Sequence, residues 1–316
     1  MTSQVIDLDL DLPAASEDAV VGPLRALLQY RGQKGVPNYL NIFGPGMARA
    51  LGLTLDEVQT MWDELPTHEF DKVLRERAGG LAMSLPDFVQ RLDDAGVQWG
   101  LIWSDSNEKT AEIVSQFPTK FIGKAVVNPN DGMKAVRELE RAVKELGLRG
   151  FYASPFRYGL RPNDKKFYPL YAKAVELGIP VSVYCTMNYR TDFPMDLSHP
   201  LCLDEVARDF PELTLIADCG GWPWVADMIG VARRNQNVYI NTAAHRPKYL
   251  ATPGSGWEML MQFGNTLLQD RIVFASGWGN YQIPIADVVA EMRALPLKDD
   301  VKEKWLYRNA ARIFQI

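Results

Sequence analysis

From about Gln98 onward the chain alternates short apolar runs with amphipathic segments, and no other feature limits its fold as strongly. The apolar runs lie at 99–103, 121–128, 150–156, 180–187, 213–220, 238–245 and 271–279. Helical patterns separate or follow them at 132–147, 167–178, 199–210, 223–235, 257–268 and 283–295. In the segment GMKAVRELERAVKELG, Val136, Leu139, Val143 and Leu146 fall on one stripe with charges opposite, and the closing glycine is a stop signal. An opening strand at 5–10 brings the β segments to eight. Near-continuous apolar strands alternating with helices predict a parallel sheet covered by helices. Eight such units in 316 residues fit an α/β fold of the (β/α)8 TIM-barrel type better than an open sheet. No Gly-x-Gly-x-x-Gly follows a strand and no Walker-type loop occurs, so a dinucleotide fold is the weaker alternative.

The opening strand reads Ile6-Asp7-Leu8-Asp9-Leu10-Asp11-Leu12-Pro13. Alternate side chains of a strand share a side, so Asp7, Asp9 and Asp11 are expected to project together. Three acids on one face repel one another and are costly to desolvate. Such a stretch suits an exposed edge, a bound cation or the rim of a polar site, or else it is a frayed acidic terminus. Residues 14–84 then break the repeat before the first barrel helix at 85–95. They include Gly32-Gln33-Lys34-Gly35, Phe43-Gly44-Pro45-Gly46 and a helix start at Thr54-Leu55-Asp56-Glu57. A long βα insertion lies on the face of a barrel where catalytic loops sit, so it is expected to be a lid, a dimer contact or inert scaffold within a single domain.

Composition narrows the partners. A net charge of -5 with both signs interspersed leaves no basic footprint for nucleic acid or an anionic membrane. No stretch approaches a transmembrane span, and the acidic N-terminus is unlike a signal peptide. Cys185, Cys202 and Cys219 are too few for a disulfide framework and lack CxxC spacing. A reduced, cytoplasmic enzyme for a small molecule is the expectation.

In a barrel, function belongs to the C-terminal ends of the strands. In order these offer Asp9 and Asp11; Ser104 and Asp105; Asn128; Tyr152 and Ser154; Tyr184 and Thr186; Asp218 and Cys219; His245; Ser276 and Trp278. Cys219 opens a helical segment, where a thiol pKa can be lowered, but free cysteine is also a common small core residue. His245 can exchange protons or contact substrate. His199, beside Pro200, reads as a capping residue, and His68 belongs to the insertion. Arg157, Arg161 and Arg190 follow the fourth and fifth strands and could clamp a carboxylate, or simply be solvated. Trp222, Trp224, Trp278 and Tyr281 are enough rim aromatics for the wall of an apolar site.

Several stretches resemble the amidohydrolase-related barrels that include aminocarboxymuconate-semialdehyde decarboxylase and the resorcylate-type decarboxylases. They are AVRELERAVKELGLRG, FYPLYAKAVELGIP, LDEVARDFPELTLIADCGGWPW, DRIVFASGW and YRNAARIF. The resemblance spans nearly everything from Val5 to Phe314 except the insertion, and it implies a divalent metal held by the first strand and by later histidines. Asp9 is an allowed variant at one such position, whereas Asp11 replaces a histidine. The family's other histidines fall on Ser154, Tyr184 and Cys219, and its last aspartate falls on Gly277. Zinc favours imidazole, thiolate and carboxylate in a tight shell, so this donor set predicts loss of the metal and no cofactor.

The leading expectation is a metal-independent member of that family, acting on a small carboxylated aromatic or unsaturated compound as a C–C lyase or a hydrolase. Asp9, Asp11, Asp218, His245 and Tyr184 are its candidate catalytic residues. Tyr152, Ser154, Arg157, Arg190, Cys219, Trp222 and Trp278 are its candidate substrate contacts. Relatives imply a homodimer. Two rivals stand beside it: a metal-dependent enzyme with an altered Asp9/Asp11/His245 site, and an inactive barrel that binds a ligand or partner.

Overall fold

The charge-striped segments become helices and the apolar runs become strands. The computed structural model describes residues 4–27, 31, 39–188, 193–280 and 283–316. Its strands are β1 (Val5–Asp7), β2 (Val97–Ile102), β3 (Phe121–Ala125), β4 (Gly150–Ala153), β5 (Val181–Tyr184), β6 (Leu215–Asp218), β7 (Val238–Asn241) and β8 (Ile272–Val273). They form one parallel sheet in sequence order. The ring closes where Leu8 N–H donates to the Phe274 carbonyl at 3.1 Å and Gly277 N–H donates to the Asp9 carbonyl at 3.0 Å. The expected (β/α)8 barrel is the fold.

Most strands are shorter than their apolar runs, and at β1 and β8 the local reason is visible. Asp7 Oδ1 accepts the N–H of Asp9 at 3.2 Å, so a side chain takes the next backbone donor and β1 ends there. At β8, Phe274 N–H goes to the Trp305 carbonyl at 2.8 Å, and Ser276 N–H goes to Asp7 Oδ1 at 2.8 Å.

The barrel helices α5 (Leu85–Asp94), α6 (Asn107–Gln116), α7 (Met133–Lys144), α8 (Tyr168–Leu177), α9 (Leu201–Asp209), α10 (Val225–Arg234), α11 (Glu258–Gly264) and α12 (Ile285–Arg293) follow the strands in turn. Ser84 and Ser106 cap α5 and α6 by accepting the N–H of Asp87 and of Lys109. α7 buries Ala135, Val136, Leu139 and Ala142, while Arg141 on its outer face pairs with Glu138 and Glu108. A fully buried Leu139 contributes about 1.5–3 kcal/mol, whereas such surface pairs contribute about 0–1 kcal/mol. The inward stripe therefore decides where this helix sits.

The insertion carries four helices, α1 (Glu17–Leu27), α2 (Tyr39–Ala50), α3 (Leu55–Glu64) and α4 (Thr67–Ala78). Val21, Ala48, Leu51, Val58, Phe70, Leu74 and Ala78 give it an apolar cluster of its own. Thr54 starts α3 with a full capping box to Glu57. Met83 N–H donates to the Ala14 carbonyl at 2.9 Å, so the insertion leaves and rejoins the barrel at one point. Gly32-Gln33-Lys34-Gly35 lies outside the described residues.

Candidate active site

Lys124 stands next to the last residue of β3 and is only 1% exposed. Its Nζ donates to the Leu8 carbonyl at 3.0 Å and to Asp9 Oδ1 at 3.1 Å, and lies 5.2 Å above the Tyr152 ring. A buried ammonium without such partners would cost several kcal/mol. Burial alone would pull its pKa down. The charges of Asp9, Asp218 and Asp7, with the Asp9 hydrogen bond, more than offset that pull, so the pKa is raised and the ammonium persists.

The three acids of the opening stretch find three different partners. Asp7 is fully buried; its Oδ1 accepts from Ser276 and Asp9, its Oδ2 has no partner, and burial pushes its pKa to about 6. Asp9 takes Lys124. Asp11 is half-buried, and its Oδ2 accepts the Gly279 N–H at 3.0 Å. Burial, and then the charge of Asp9, raise the Asp11 pKa to about 7. Asp218, buried at the end of β6, accepts from Asn241 Nδ2 and leaves Oδ2 unpartnered. Burial chiefly pushes it to about 8, against the opposing charge of Lys124. Carboxyls displaced towards neutrality around one ammonium can carry protons at working pH.

Above this centre lies an aromatic column. Tyr152 stacks on Trp103 at 4.8 Å, and the Arg157 guanidinium lies 4.7 Å over Trp103. Burial raises the Tyr152 pKa well above 10, so its phenol keeps its proton. Arg157 is exposed and forms no ion pair among the described residues. Tyr184 pairs in register with Asp218, its hydroxyl donates to the Met187 carbonyl at 3.2 Å, and its ring meets Phe156 at 4.5 Å. Ser154, 4% exposed, has a hydroxyl without a partner.

Other candidates are packed into the walls around this centre. Cys219 has φ of +62°, donates its N–H to Asn241 Oδ1 at 2.9 Å, and is buried. Burial raises its thiol well above 9, which removes the basis for a thiolate nucleophile and leaves the small core residue. His245 sits between Trp222 at 5.7 Å and Trp257 at 4.7 Å, and burial lowers its pKa to about 4. Its imidazole is neutral at pH 7 and donates no imidazolium proton. Trp278 stacks on Phe88 at 5.2 Å and donates from Nε1 to the Asp11 carbonyl at 2.7 Å, fixing that turn. Arg161 is no clamp, since it is engaged by Asp196. His199 Nδ1 accepts the Leu201 N–H at 3.2 Å, a local structural role. Arg190 and Tyr281 lie outside the described residues.

Lys124 and Trp103 are the residues missed by reading strand ends alone. The signal for Lys124 was present: a lysine in the apolar run FIGKAVV must bury its charge and therefore needs anionic partners. A separate surface cavity of about 520 Å³ lies between α6 and α7. Arg141 pairs there with Glu138 and Glu108, and Asn107 with Glu138, and the cavity is lined by none of Asp9, Asp11, Lys124 and Asp218.

A closed parallel barrel with carboxyls at the ends of its first and sixth strands defines a TIM-barrel protein with an acidic catalytic mouth. The sequence model of the Amidohydrolase family matches residues 84–316, and the chain belongs to that family. A 2-keto-4-carboxy-3-hexenedioate hydratase of a Sphingobium strain is 26% identical over 210 residues, covering 56% of this chain and 62% of the hydratase. The chain thus matches less than two thirds of that relative's length. An uncharacterized TIM-barrel protein from Bordetella bronchiseptica superposes with a TM-score of 0.69 at 24% identity, covering 99% of this chain and 98% of the other. The 5-carboxyvanillate decarboxylase of Novosphingobium aromaticivorans, solved with manganese and 4-hydroxy-3-methoxy-5-nitrobenzoic acid, gives 0.62 at 17% identity, over 100% and 97%. Both share the fold.

The side chains here do not fit such an ion. Asp9 is engaged by the Lys124 ammonium, while Asp11 and Asp218 each have one oxygen engaged, by Gly279 N–H and by Asn241. Among the described residues no group of three or more His, Cys, Asp or Glu stands together to hold a metal. No described helix is long and apolar enough to cross a membrane.

Proposed function

We propose that the protein is a metal-independent lyase for a small aromatic or unsaturated carboxylic acid, working by general acid–base catalysis at the mouth bounded by Asp9, Asp11, Tyr184 and Trp103. One observation carries this reading. Asp11 holds one oxygen on Gly279 N–H, leaves the other without a hydrogen-bond partner among the described residues, and has a pKa of about 7. A carboxyl poised at the working pH is suited both to give and to take a proton.

Arg157, over the Trp103 ring, binds the substrate carboxylate, and the edge of the Trp103 column borders the unsaturated part of the molecule. Asp11 protonates the unsaturated carbon. In a decarboxylation that carbon is the one bearing the carboxylate, the electrons of the C–C bond that breaks restore the π system, carbon dioxide leaves, and solvent returns the proton to Asp11. In a hydration water supplies the hydroxyl, and the proton that water loses restores Asp11. The hydratase relative is named for action on an unsaturated carboxylic acid, and that supports the class.

The test is conversion by protein treated with EDTA. Hydroxylated benzoates, 5-carboxyvanillate and carboxylated hexenedioates are offered, and mass spectrometry reads loss of carbon dioxide or gain of water. Turnover in EDTA that disappears in Asp11→Asn supports the reading. Turnover that requires added manganese or zinc, or an Asp11→Asn protein as active as wild type, refutes it.

A further inference from the structure

We propose that Lys124 is the resident cation of this barrel, its ammonium occupying the position against Asp9 that a divalent ion would need. The inference rests on the metal-free reading above and deepens it by naming what took the ion's place.

Four independent features build the position. The Lys124 Nζ has three donor directions, and the Leu8 carbonyl, Asp9 Oδ1 and the Tyr152 ring face meet them. The residue paired with Lys124 on β4 is Gly150, and a Cβ there would stand 3.4 Å from Lys124 Cγ. The lysine stem thus lies within van der Waals reach of the neighbouring strand, which helps to fix its course. Asp218, Asp7 and Asp11 surround the ammonium closely enough for each to feel its charge or be felt by it. Asp9, the one acid in direct contact, retains 24% side-chain exposure towards the mouth while Lys124 is sealed beneath it.

An ammonium is a point charge with directed donors and no vacant coordination sites. It can hold Asp9 aimed through its hydrogen bond, and it can lend its field to the mouth, but it cannot ligate substrate oxygen. Lys124 is therefore a positioning residue, not a catalytic one. A divalent ion on the same Asp9 oxygen would meet the ammonium at close range and be repelled, so the lysine excludes the metal as well as replacing its charge.

Wild type, Lys124→Ala, Lys124→Arg and Asp9→Asn are prepared in metal-free buffer and titrated with manganese and zinc by calorimetry, with the melting temperature followed in parallel. Wild type and Lys124→Arg are expected to bind neither ion and to melt at the same temperature with EDTA as with metal. Lys124→Ala is expected to melt about 5–10 °C lower. Manganese or zinc should recover part of that loss, and the recovery should vanish in the Lys124→Ala/Asp9→Asn double variant. Lys124→Gln, which keeps length and loses charge, carries the same reading should Lys124→Ala not fold. One equivalent of ion bound by wild type and abolished by Asp9→Asn overturns the proposal, as does a folded, neutral variant at Lys124 that ignores both ions. None of these readouts uses substrate, so failure here leaves the substrate class standing, and an unproductive substrate screen leaves Lys124 in place.

Discussion

The backbone N–H of Gly279 donates to Oδ2 of Asp11 at 3.0 Å, joining the loop after the last strand to the acid that follows the first. A Cβ on Gly279 would lie 2.8 Å from the same oxygen, so the glycine permits the approach that holds Asp11 in place. Asp11→Asn keeps an oxygen for this bond and removes the titrating proton. It is expected to lower kcat by roughly 10²–10⁴-fold while leaving the fold intact. Steady-state kinetics and circular dichroism on the same preparation check both halves. Gly279→Ala should reproduce part of the kcat loss by displacing the carboxyl.

Arg157 has a different role and a different kinetic signature. Its guanidinium rests on Trp103 with no carboxylate of the described residues against it, which leaves its donors for a substrate carboxylate. A charge-assisted pair contributes about 1.5–3 kcal/mol. Arg157→Met is therefore expected to raise KM by roughly 10–100-fold with little change in kcat. A loss confined to kcat would instead assign Arg157 to the chemical step.

How far the site could be read in the sequence depended on which force fixed each residue. Leu139 on α7 and Leu203 on α9 follow periodicity, because burial of an apolar stripe dictates them. Asp9, Asp11 and Asp218 were legible as strand-end acids for the same topological reason. Lys124 was legible only as a charge in an apolar run, because the groups that satisfy it, Leu8 and Asp9, lie more than a hundred positions away. The end of β1 was misplaced because Asp7 spends an oxygen on its own backbone, a competition that alternation cannot show. His245 looked like a proton carrier until Trp222 and Trp257 closed around it.

The buried acids also give the protein a pH signature. Asp7, Asp11 and Asp218 have folded pKa values of about 6, 7 and 8 against an ordinary value of 3.8. For an acid raised on folding, the folded state holds the proton longer than the unfolded state does. Each contribution is most favourable below 3.8, declines as pH rises towards the folded value, and is constant beyond it. Surface carboxyls with lowered values, such as Asp71 and Asp196, act oppositely but only below their ordinary range. The melting temperature is therefore expected to fall between pH 5 and pH 8. Asp218 alone supplies a slope of about 1.4 kcal/mol, or roughly 3 °C, per pH unit at the upper end of that window. Asp218→Asn, whose amide oxygen can still accept from Asn241, should flatten the decline between pH 7 and pH 8.

His245 offers a direct reading of the aromatic enclosure. The chain has three histidines, and His68 is exposed while His199 is tied to Leu201, so their imidazole signals can be assigned by single substitution. Burial between Trp222 and Trp257 lowers the His245 pKa to about 4, because the charged ring would lose its water. Its signal is expected to stay unshifted from pH 8 down to about pH 5 and to move only below that. Trp257→Ala removes one wall and admits water, so the midpoint should climb towards 6.5. The same ring sits against Gly220, where a Cβ would meet Trp257 Cζ3 at 2.5 Å and where φ is +64°. Gly220→Ala should therefore push the indole aside, destabilise the protein by about 1–3 kcal/mol, and raise the His245 midpoint in the same direction. A midpoint that stays near 4 in both variants would mean that some group other than Trp257 keeps the imidazole dry.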